Sequence, residues 1–493
     1  MDANARLFDF DNTYERLPKR FYAKVRPTPV AAPKLIALNR ELCAQLEIDP
    51  VRLEADAAAI CSGNVVPEGA SSIAMAYAGH QFGGFVPQLG DGRAILLGEV
   101  IARDGRRFDL QWKGAGPTPF SRRGDGRAAL GPVLREFLVS EAMTALGIPS
   151  TRALAAVLTG EPVYRETVLP GAVLTRVAAS HIRVGTFEYF AERNDRDALN
   201  LLVTYALQRH YPDLLSARSP ALALLEAVAE RQASLIARWM HVGFIHGVMN
   251  TDNSSISGET IDFGPCALMD EYDPGTVFSA IDRQGRYAYV NQPAIAQWNL
   301  ARLAETLLPL IDAEQERSIE LATEVIHRMP ALYERQWLAG MRQKLGLEST
   351  EPEDLMLSQS CLKAMHEGGA DFTLFFRRLC GATENQAAAQ NVRSLFQRPE
   401  LYDDWATQWQ ARQQKEARPA PERAAMMRSV NPALIPRNHC VEQALRAAID
   451  GDFSEFENLR NALAAPFEER SASEKYTTPP APHERVLNTF CGT

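Results

Sequence analysis

The sequence has no Cys-x-x-Cys pair, no long apolar run and no excess of basic residues, and each absence excludes a class of protein. Its 493 residues contain seven dispersed cysteines, which fit neither a zinc cage nor a disulfide framework. No window of about 18 residues is apolar and uncharged throughout, so the sequence predicts no membrane-spanning helix. The net charge of −9, with basic residues scattered along the chain, argues against a nucleic acid as the main partner.

The composition is that of a folded globular protein. With 46% hydrophobic residues the chain can bury a large core, and its length predicts two or three packed units. Residues 1–25 mix acidic and basic side chains without an apolar core, which is typical of neither a secretory signal nor a transit peptide. We therefore expect a cytoplasmic protein.

The first part of the chain predicts an antiparallel β unit followed by a helix. Residues 94–101 form an apolar run, Asp104 and Gly105 are typical of a hairpin turn, and residues 108–113 form the partner strand. Residues 132–146 predict a helix, because a proline stands at the start and apolar residues recur on one side. This order of elements is similar to the small lobe of a protein kinase.

The middle and C-terminal parts of the sequence predict mostly helices. A buried amphipathic helix is expected at 221–242, and residues 254–261 are expected to form a short hairpin that places Asp262 at its end. Residues 413–421 are charged and contain proline, as a linker does. Four further helices are predicted at 295–310, 316–328, 330–345 and 441–463.

Two short motifs in the middle of the chain resemble the metal-binding core of a protein kinase. A kinase catalytic loop reads His-Arg-Asp-x-x-x-x-Asn and is followed by Asp-Phe-Gly; its first Asp takes the hydroxyl proton, and its Asn and the later Asp hold metal ions. His246 and Asn253 have the spacing of that loop, and Asp262 begins an Asp-Phe-Gly triplet. Val248 then occupies the position of the base. Such a chain is either inactive or transfers a different part of ATP.

The candidate metal ligands are oxygen atoms. Asn253 and Asp262 suit Mg²⁺ or Mn²⁺ better than zinc. Asn253 alone could cap a turn, but the kinase order of the two motifs favours a metal site. Asp252 lies beside the metal ligand and could accept a hydroxyl proton in place of the missing base.

A glycine-containing loop and a lysine precede these motifs, as they do in kinases. Gly90, Gly92 and Arg93 open a strand where backbone N–H groups can approach a polyphosphate; a plain tight turn is the alternative. Lys113 ends the partner strand, and Glu136 on the following helix is its expected ion-pair partner. A solvated surface charge is the alternative for the lysine.

Basic side chains are more numerous here than a kinase normally uses for phosphates. Residues 113–127 are dense in glycine and arginine and show no hydrophobic periodicity, and Arg176 and Arg183 add a further basic pair. Surface salt bridges would explain each residue taken singly. Together these cations favour an anion site.

The motifs as a set resemble the selenoprotein O family of pseudokinase-fold protein adenylyltransferases, over nearly the whole chain. Long shared motifs of this kind are highly specific. The resemblance is carried by Gly79-His80-Gln81-Phe82-Gly83, by residues 88–93, 113–116, 121–127, 162–167, 246–253 and 429–434, and by Cys491.

The resemblance implies an enzyme that transfers AMP from ATP to Ser, Thr or Tyr hydroxyls of proteins, with ATP flipped relative to kinases. It implies that Asp252 accepts the proton and that Asn253 and Asp262 bind the metal. A buried pyrophosphate leaving group would account for the surplus arginines. The residues implied in nucleotide binding are Gly90, Gly92, Arg93, Lys113, Asp125, Gly126, Arg176, Arg183 and Asp262.

Cys491 stands third from the end, behind a proline-rich polar stretch, where a mobile thiol could react with an internal one. An incidental exposed thiol is the alternative. The resemblance implies that some bacterial relatives pair the terminal cysteine with one just after the metal loop, but residues 277–279 of this chain contain none. Cys266 is the nearest candidate for a redox pair.

The predicted architecture is α+β, a kinase-like bilobal fold with an additional helical C-terminal region. The predicted partners are ATP and protein substrates, including redox-homeostasis proteins. A uridylyltransferase using Mn²⁺ and a catalytically silent ATP-binding scaffold stay open as alternatives, whereas Val248 disfavours an ordinary kinase. The predicted units are an N-terminal extension (1–70), a small lobe (71–195), a mainly helical large lobe (196–412), a helical region (413–470) and a flexible tail with Cys491 (471–493).

Overall fold

The computed structural model describes residues 6–490 and combines antiparallel β-structure with a larger set of α-helices. This composition, with helices throughout the C-terminal part, confirms the mixed α and β class predicted above. The strands are β1 (Tyr22–Lys24), β2 (Lys34–Leu38), β3 (Ile73–Met75), β4 (Gly79–Gln81), β5 (Gly84–Val86), β6 (Ala94–Ile101), β7 (Arg107–Lys113), β8 (Ala128–Ala129), β9 (Arg152–Tyr164), β10 (Val168–Ala178), β11 (Phe244–Ile245) and β12 (Ala267–Leu268).

The first helix follows β2 in the sequence, and most elements after β10 are helices. They are α1 (Arg40–Gln45), α2 (Pro50–Ser62), α3 (Leu130–Ala145), α4 (Val184–Glu192), α5 (Arg196–His210), α6 (Pro220–Val242), α7 (Gln292–Ile311), α8 (Gln315–Leu345), α9 (Asp354–Gly368), α10 (Phe372–Ala382), α11 (Gln386–Arg393), α12 (Pro399–Gln413), α13 (Ala420–Val430), α14 (Asn438–Ile449) and α15 (Ser454–Leu463).

One antiparallel sheet holds most of the strands, in the order β1-β3-β6-β7-β10-β9-β2, with β8 added beside β10. The β6–β7 hairpin was predicted from its sequence and is confirmed. Its turn forms because Gly105 adopts φ +80° and the Asp104 side chain accepts a hydrogen bond from the Arg106 amide at 3.0 Å. The register places Lys113 opposite Ala94 on one side and opposite Leu174 of β10 on the other. The end of β7 therefore lies inside the sheet.

Helix α3 packs against β9 and β10, and the C-terminal helices α14 and α15 pack on the same helix. These three helices and the two strands share one hydrophobic cluster, in which the rings of Phe137 and Phe456 lie 5.9 Å apart. Arg135 of α3 also forms an ion pair with Glu442 of α14. The end of the chain thus supports the helix that carries Glu136.

The helical part is built around α6, which packs against α7 and α8. Pro220 at the first position and Gly243, with φ +72°, just after the last turn fix the ends of α6. The helix was predicted at nearly these bounds. It leads through β11 directly into the loop that contains His246 and Asn253.

The hairpin predicted for residues 254–261 is wrong. Ser255 pairs with Arg183, and Thr260 pairs with Ser150, so the two halves of this segment bridge to other parts of the chain. Ile256 and Ser257 form a turn instead of a strand, and local sequence does not identify the distant partners of Ser255 and Thr260. These two bridges fix the segment that leads into Asp262.

Two other sets of predicted helix boundaries differ from the structure. The helices predicted on either side of Pro330 form one continuous helix, α8, and the helix predicted at 441–463 is two helices, α14 and α15, separated by Gly451. Residues 414–419, inside the predicted linker, do connect α12 to α13. They are not loose, because Glu416 accepts a hydrogen bond from Arg412 at 2.6 Å and one from the Ser349 hydroxyl at 2.8 Å.

Within residues 6–490, no helix combines the length and the apolar character needed to cross a membrane.

We predict that Phe456→Ala destabilises the protein and lowers the affinity for ATP that the family resemblance implies. Phe456 is fully buried against Phe137, and removal of a buried phenylalanine ring costs about 3–5 kcal/mol of unfolding free energy. Because Phe137 is the neighbour of Glu136 on α3, ATP affinity is expected to fall as well. Denaturant unfolding and ATP titration measure the two effects, and Asn458→Ala, on the exposed side of the same helix, is the matched control. An unchanged ATP affinity in a destabilised variant would contradict the proposed support of α3.

Candidate active site

A cavity of about 790 Å³ opens between the sheet, helix α3 and the loops at 120–127 and 248–265. This volume is typical of a site for a small molecule or cofactor. Cys266 is buried and is not among the residues that line it. Every predicted nucleotide, metal and base residue within the described chain lines this one cavity: Gly90, Gly92, Arg93, Lys113, Asp125, Gly126, Glu136, Arg176, Arg183, Asp252, Asn253 and Asp262.

At the base of the cavity, Lys113 and Arg176 connect two carboxylates. Lys113 Nζ lies 2.6 Å from Glu136 Oε2 and 2.8 Å from Asp262 Oδ1. Arg176 Nε donates to Glu136 Oε1 at 2.8 Å, and its terminal nitrogen donates to Asp262 Oδ1 at 2.5 Å. The sheet register explains the convergence, since β7 and β10 are neighbours and α3 packs across β10. The predicted pairing of Lys113 with Glu136 is thus present as a contact.

Arg183 extends the same cluster to the catalytic-loop segment. Its Nη1 donates to Asp262 Oδ2 at 2.8 Å and to the Asp252 backbone carbonyl at 2.6 Å, while its guanidinium lies 4.7 Å from the centre of the Tyr77 ring. Three cations, Lys113, Arg176 and Arg183, therefore face two carboxylates. The excess positive charge in a partly desolvated cavity favours an anionic ligand.

The charge on Asp262 is strongly stabilised. Burial opposes ionisation, but the neighbouring Arg176, Lys113 and Arg183 hold the pKa of Asp262 well below its usual range. The residue adopts the left-handed conformation, with φ +64°, which is uncommon outside glycine and often marks a functional position. Just before it, the carbonyl of Ile261 accepts a hydrogen bond from His246 Nε2 at 2.9 Å. Burial lowers the pKa of His246, so this histidine stays neutral and serves as a structural donor.

The glycine loop is held against a second loop. Gly90 has φ +68°, and an added Cβ there would lie 2.3 Å from the Phe120 ring. Gly126 has φ +66°, and its Cβ would lie 2.1 Å from the backbone of Gly116. The Asp91 carboxylate, which a phosphate would repel, is buried and accepts a hydrogen bond from the Met75 amide at 3.0 Å. The two loops can therefore approach a ligand closely with their backbones.

Asp125, in the second loop, forms an ion pair with an arginine. Arg165 binds both of its carboxylate oxygens, at 2.8 and 3.0 Å, and this hydrogen bonding lowers the pKa of Asp125. The pair places one charge of each sign in the cavity wall. Arg165 was not predicted as a site residue, although it lies within the specific motif at 162–167.

Asn253 and Asp262 fit a hard divalent cation that is completed by a substrate. The Asn253 side-chain nitrogen donates to the Val248 carbonyl at 3.0 Å, which leaves its oxygen to act as a ligand. Within the described residues, no group of three or more His, Cys, Asp or Glu side chains could enclose a metal ion by itself. Cations such as Mg²⁺ commonly take one or two protein oxygens and complete their coordination with phosphate and water. The donor set is of this kind.

Asp252 also lies in the cavity wall, as does Val248, whose side chain has no titratable group. Burial raises the pKa of Asp252 to about 6. The side-chain amide of Gln81 donates to Asp252 Oδ2 at 3.2 Å. Gln81 and Tyr77 were missed by the sequence prediction; Gln81 belongs to the glycine-flanked motif at 79–83, which was recognised without a role.

Of the two predicted redox residues, Cys266 is buried and does not line the cavity. Cys491 is outside the described residues. The last described part of the tail contacts the segment after Asp262: the Thr489 hydroxyl donates to the Pro265 carbonyl at 2.5 Å, and the Thr489 amide donates to the Phe278 carbonyl at 2.7 Å. The link between Cys491 and Cys266 stays a prediction.

The cavity is strongly cationic, and comparison with known proteins gives the class to which the protein belongs. The family model described as protein adenylyltransferase SelO matches residues 5–464, so this chain belongs to that family. This confirms the resemblance and the predicted class of enzyme, a nucleotidyltransferase.

Individual relatives agree over the full length. The chain is 62% identical to a protein nucleotidyltransferase YdiU of Rhizobium meliloti (strain 1021), with 99% of each chain covered. It is 63% identical to a YdiU of Rhizobium etli (strain CIAT 652), covering 99% of this chain and 97% of that one. With the YdiU of Agrobacterium fabrum it shares 60% identity over 99% and 100% of the two chains.

We predict that Arg176→Met lowers the unfolding free energy by about 3–5 kcal/mol, because removal of one partner leaves buried carboxylates without their compensating charge. Arg176 is 1% exposed and contacts both Glu136 and Asp262. The same substitution at Arg122, an exposed residue in the cavity wall, is the control and should change stability by less than about 0.5 kcal/mol. Denaturant unfolding measures both variants; equal effects would show that the buried position does not matter.

Proposed function

We propose that this protein transfers AMP from ATP to Ser, Thr or Tyr hydroxyls of other proteins and releases pyrophosphate. The observation that carries the proposal is that one cavity contains both the cationic cluster around Asp262 and the carboxylate of Asp252. The position that holds the proton acceptor in a kinase is occupied by Val248. Family membership supports the same reaction.

The reaction exchanges one bond for another at the α-phosphorus of ATP. The acceptor hydroxyl oxygen forms a bond to this phosphorus, the bond from it to the bridging α,β oxygen breaks, and both electrons leave with pyrophosphate. The hydroxyl proton passes to the Asp252 carboxylate, which lies in the same cavity. Val248 cannot take this role, since its side chain holds no proton acceptor.

The bound orientation that we propose places the β- and γ-phosphates of ATP against the cations and the α-phosphate toward Asp252. This is the reverse of the orientation in a kinase. Arg183 supports this orientation, because its guanidinium contacts both Asp262 and the Asp252 backbone. It thereby links the cationic cluster to the proposed proton acceptor. Donors placed at the leaving group are typically worth about 10²- to 10³-fold in rate each. The surplus of arginines thereby has a chemical reason.

We propose Mg²⁺ or Mn²⁺ as the metal, held by Asn253 and Asp262. When bound, it would neutralise phosphate charge in the transition state. Asp262 is paired with Lys113, Arg176 and Arg183 in the described structure, so nucleotide and metal binding require these cations to exchange part of that pairing for phosphate oxygens.

We also propose that the protein has a kinase-like bilobal fold, with the lobes divided near residue 195. The sheet and α3 would form the small lobe. We further propose a cytoplasmic enzyme whose protein substrates include redox-homeostasis proteins. The contacts of α14 and α15 with α3 support a C-terminal region that braces the small lobe.

We predict that incubation with ATP and Mg²⁺ or Mn²⁺ adds AMP to the protein itself or to proteins of a cell lysate. Intact mass spectrometry detects the adduct, and label in the α-phosphate but not the γ-phosphate should be retained. Asp262→Ala should abolish transfer, and Asp252→Asn should lower kcat by about 10²- to 10⁴-fold. Asp213→Asn, an exposed carboxylate outside the cavity, is the control.

Other outcomes would identify the alternatives. Retention of the γ label would indicate a kinase, and transfer of UMP in preference to AMP from equal UTP and ATP would indicate a uridylyltransferase. ATP binding without any adduct would indicate a silent scaffold. Each of these results contradicts the proposed reaction.

A further inference from the structure

The small hairpin formed by β4 and β5 packs on the turn that carries Asp252, and successive residues of the two segments contact each other. The His80 amide donates to the Thr251 hydroxyl at 2.7 Å, and the Phe82 amide donates to Asn250 Oδ1 at 3.0 Å. The hairpin is therefore fixed in register on residues 250–252.

A buried carboxylate locks this packing. Glu188 of α4 binds the His80 ring at 2.5 Å through one oxygen and accepts a hydrogen bond from the Thr251 hydroxyl at 2.5 Å through the other. Glu188 is 4% exposed and His80 is partly buried. Because one side chain holds both partners, the hairpin and the turn form one unit.

The same packing covers one of the two carboxylate oxygens of Asp252, Oδ1. A Cβ built on Gly79 would lie 2.7 Å from Asp252 Oδ1, so strand β4 runs directly against this atom. Oδ1 is buried and has no hydrogen-bond partner among the described residues. The oxygen left to face a ligand is Oδ2, and it receives the side-chain amide of Gln81 at 3.2 Å.

We propose that Gln81 is a positioning residue, which orients the Asp252 carboxylate so that Oδ2 faces the acceptor hydroxyl. This inference rests on the proposed function, in which Asp252 accepts the proton. A carboxylate oxygen has two lone pairs, so Oδ2 can accept from Gln81 and from an acceptor hydroxyl at once. Gln81 and Asp252 both line the cavity, and the closed Oδ1 side prevents the carboxylate from using its other oxygen.

The orientation matters because a terminal carboxylate torsion is broad and poorly defined by itself. The hydrogen bond from the Gln81 side chain narrows this distribution before the acceptor arrives. Preorganisation of a reacting group raises kcat and leaves the affinity for a remote part of the substrate unchanged. Within residues 6–490, Gln81 forms no hydrogen bond with Lys113 or Arg176, so it should not affect phosphate binding.

The test is a double-mutant cycle on the full-length chain with Gln81→Met, Asp252→Asn and both together. Methionine has nearly the shape of glutamine but donates no hydrogen bond. We expect Gln81→Met to lower kcat for AMP transfer about 10- to 100-fold, with the ATP dissociation constant and the melting temperature unchanged. In the Asp252→Asn background the same change should have no further effect. Gln284→Met, at an exposed glutamine on another segment, is the matched control.

Each other result overturns the proposal in a recognisable way. If Asp252→Asn lowers kcat and Gln81→Met does not, the positioning role is wrong and the proposed base stands. If the two losses multiply in the double variant, Gln81 acts on something other than Asp252. If Asp252→Asn leaves AMP transfer unchanged, the base assigned under the proposed function is wrong, and the role of Gln81 falls with it.

Discussion

The pairing of Asp262 with Lys113, Arg176 and Arg183 is the interaction on which the site depends. A buried carboxylate is costly unless it is fully compensated, and here the compensating charges come from β7, β10 and the N-terminus of α4. The cluster therefore forms only when the sheet, α4 and the segment after the catalytic loop are all in place. It ties assembly of the fold to assembly of the anion site.

The cluster is also linked, through α3, to the C-terminal helices. Glu136 must be held on α3 to share Lys113 and Arg176, and the far side of α3 is covered by α14 and α15. In this arrangement residues more than 300 positions apart, such as Arg135 and Glu442, form an ion pair. Burial of an apolar face on one side of α3 thus fixes a charged residue on its other side.

Local sequence was sufficient where the physical determinants are local. The β6–β7 hairpin follows from its Asp104-Gly105 turn, and α6 from its apolar period and its terminal Pro220 and Gly243. The 254–261 segment was mispredicted because its bridges are to Ser150 and Arg183, which no local pattern encodes. The candidate site residues came largely from motif order and family resemblance. Gln81 was missed because a neutral amide acquires its role only through the tertiary contact with Asp252.

The turn at residues 251–253 separates two neighbouring side chains to which the proposed reaction gives different roles, Asp252 as the proton acceptor and Asn253 as a metal ligand. These residues form one turn of 3₁₀-helix, in which successive side chains point about 120° apart. Asp252 therefore turns toward the β4–β5 hairpin, while Asn253 beside it turns back toward the Val248 carbonyl. The two neighbouring side chains therefore face different parts of the structure. In the proposed reaction, the acceptor hydroxyl thus approaches the nucleotide from the side of the β4–β5 hairpin.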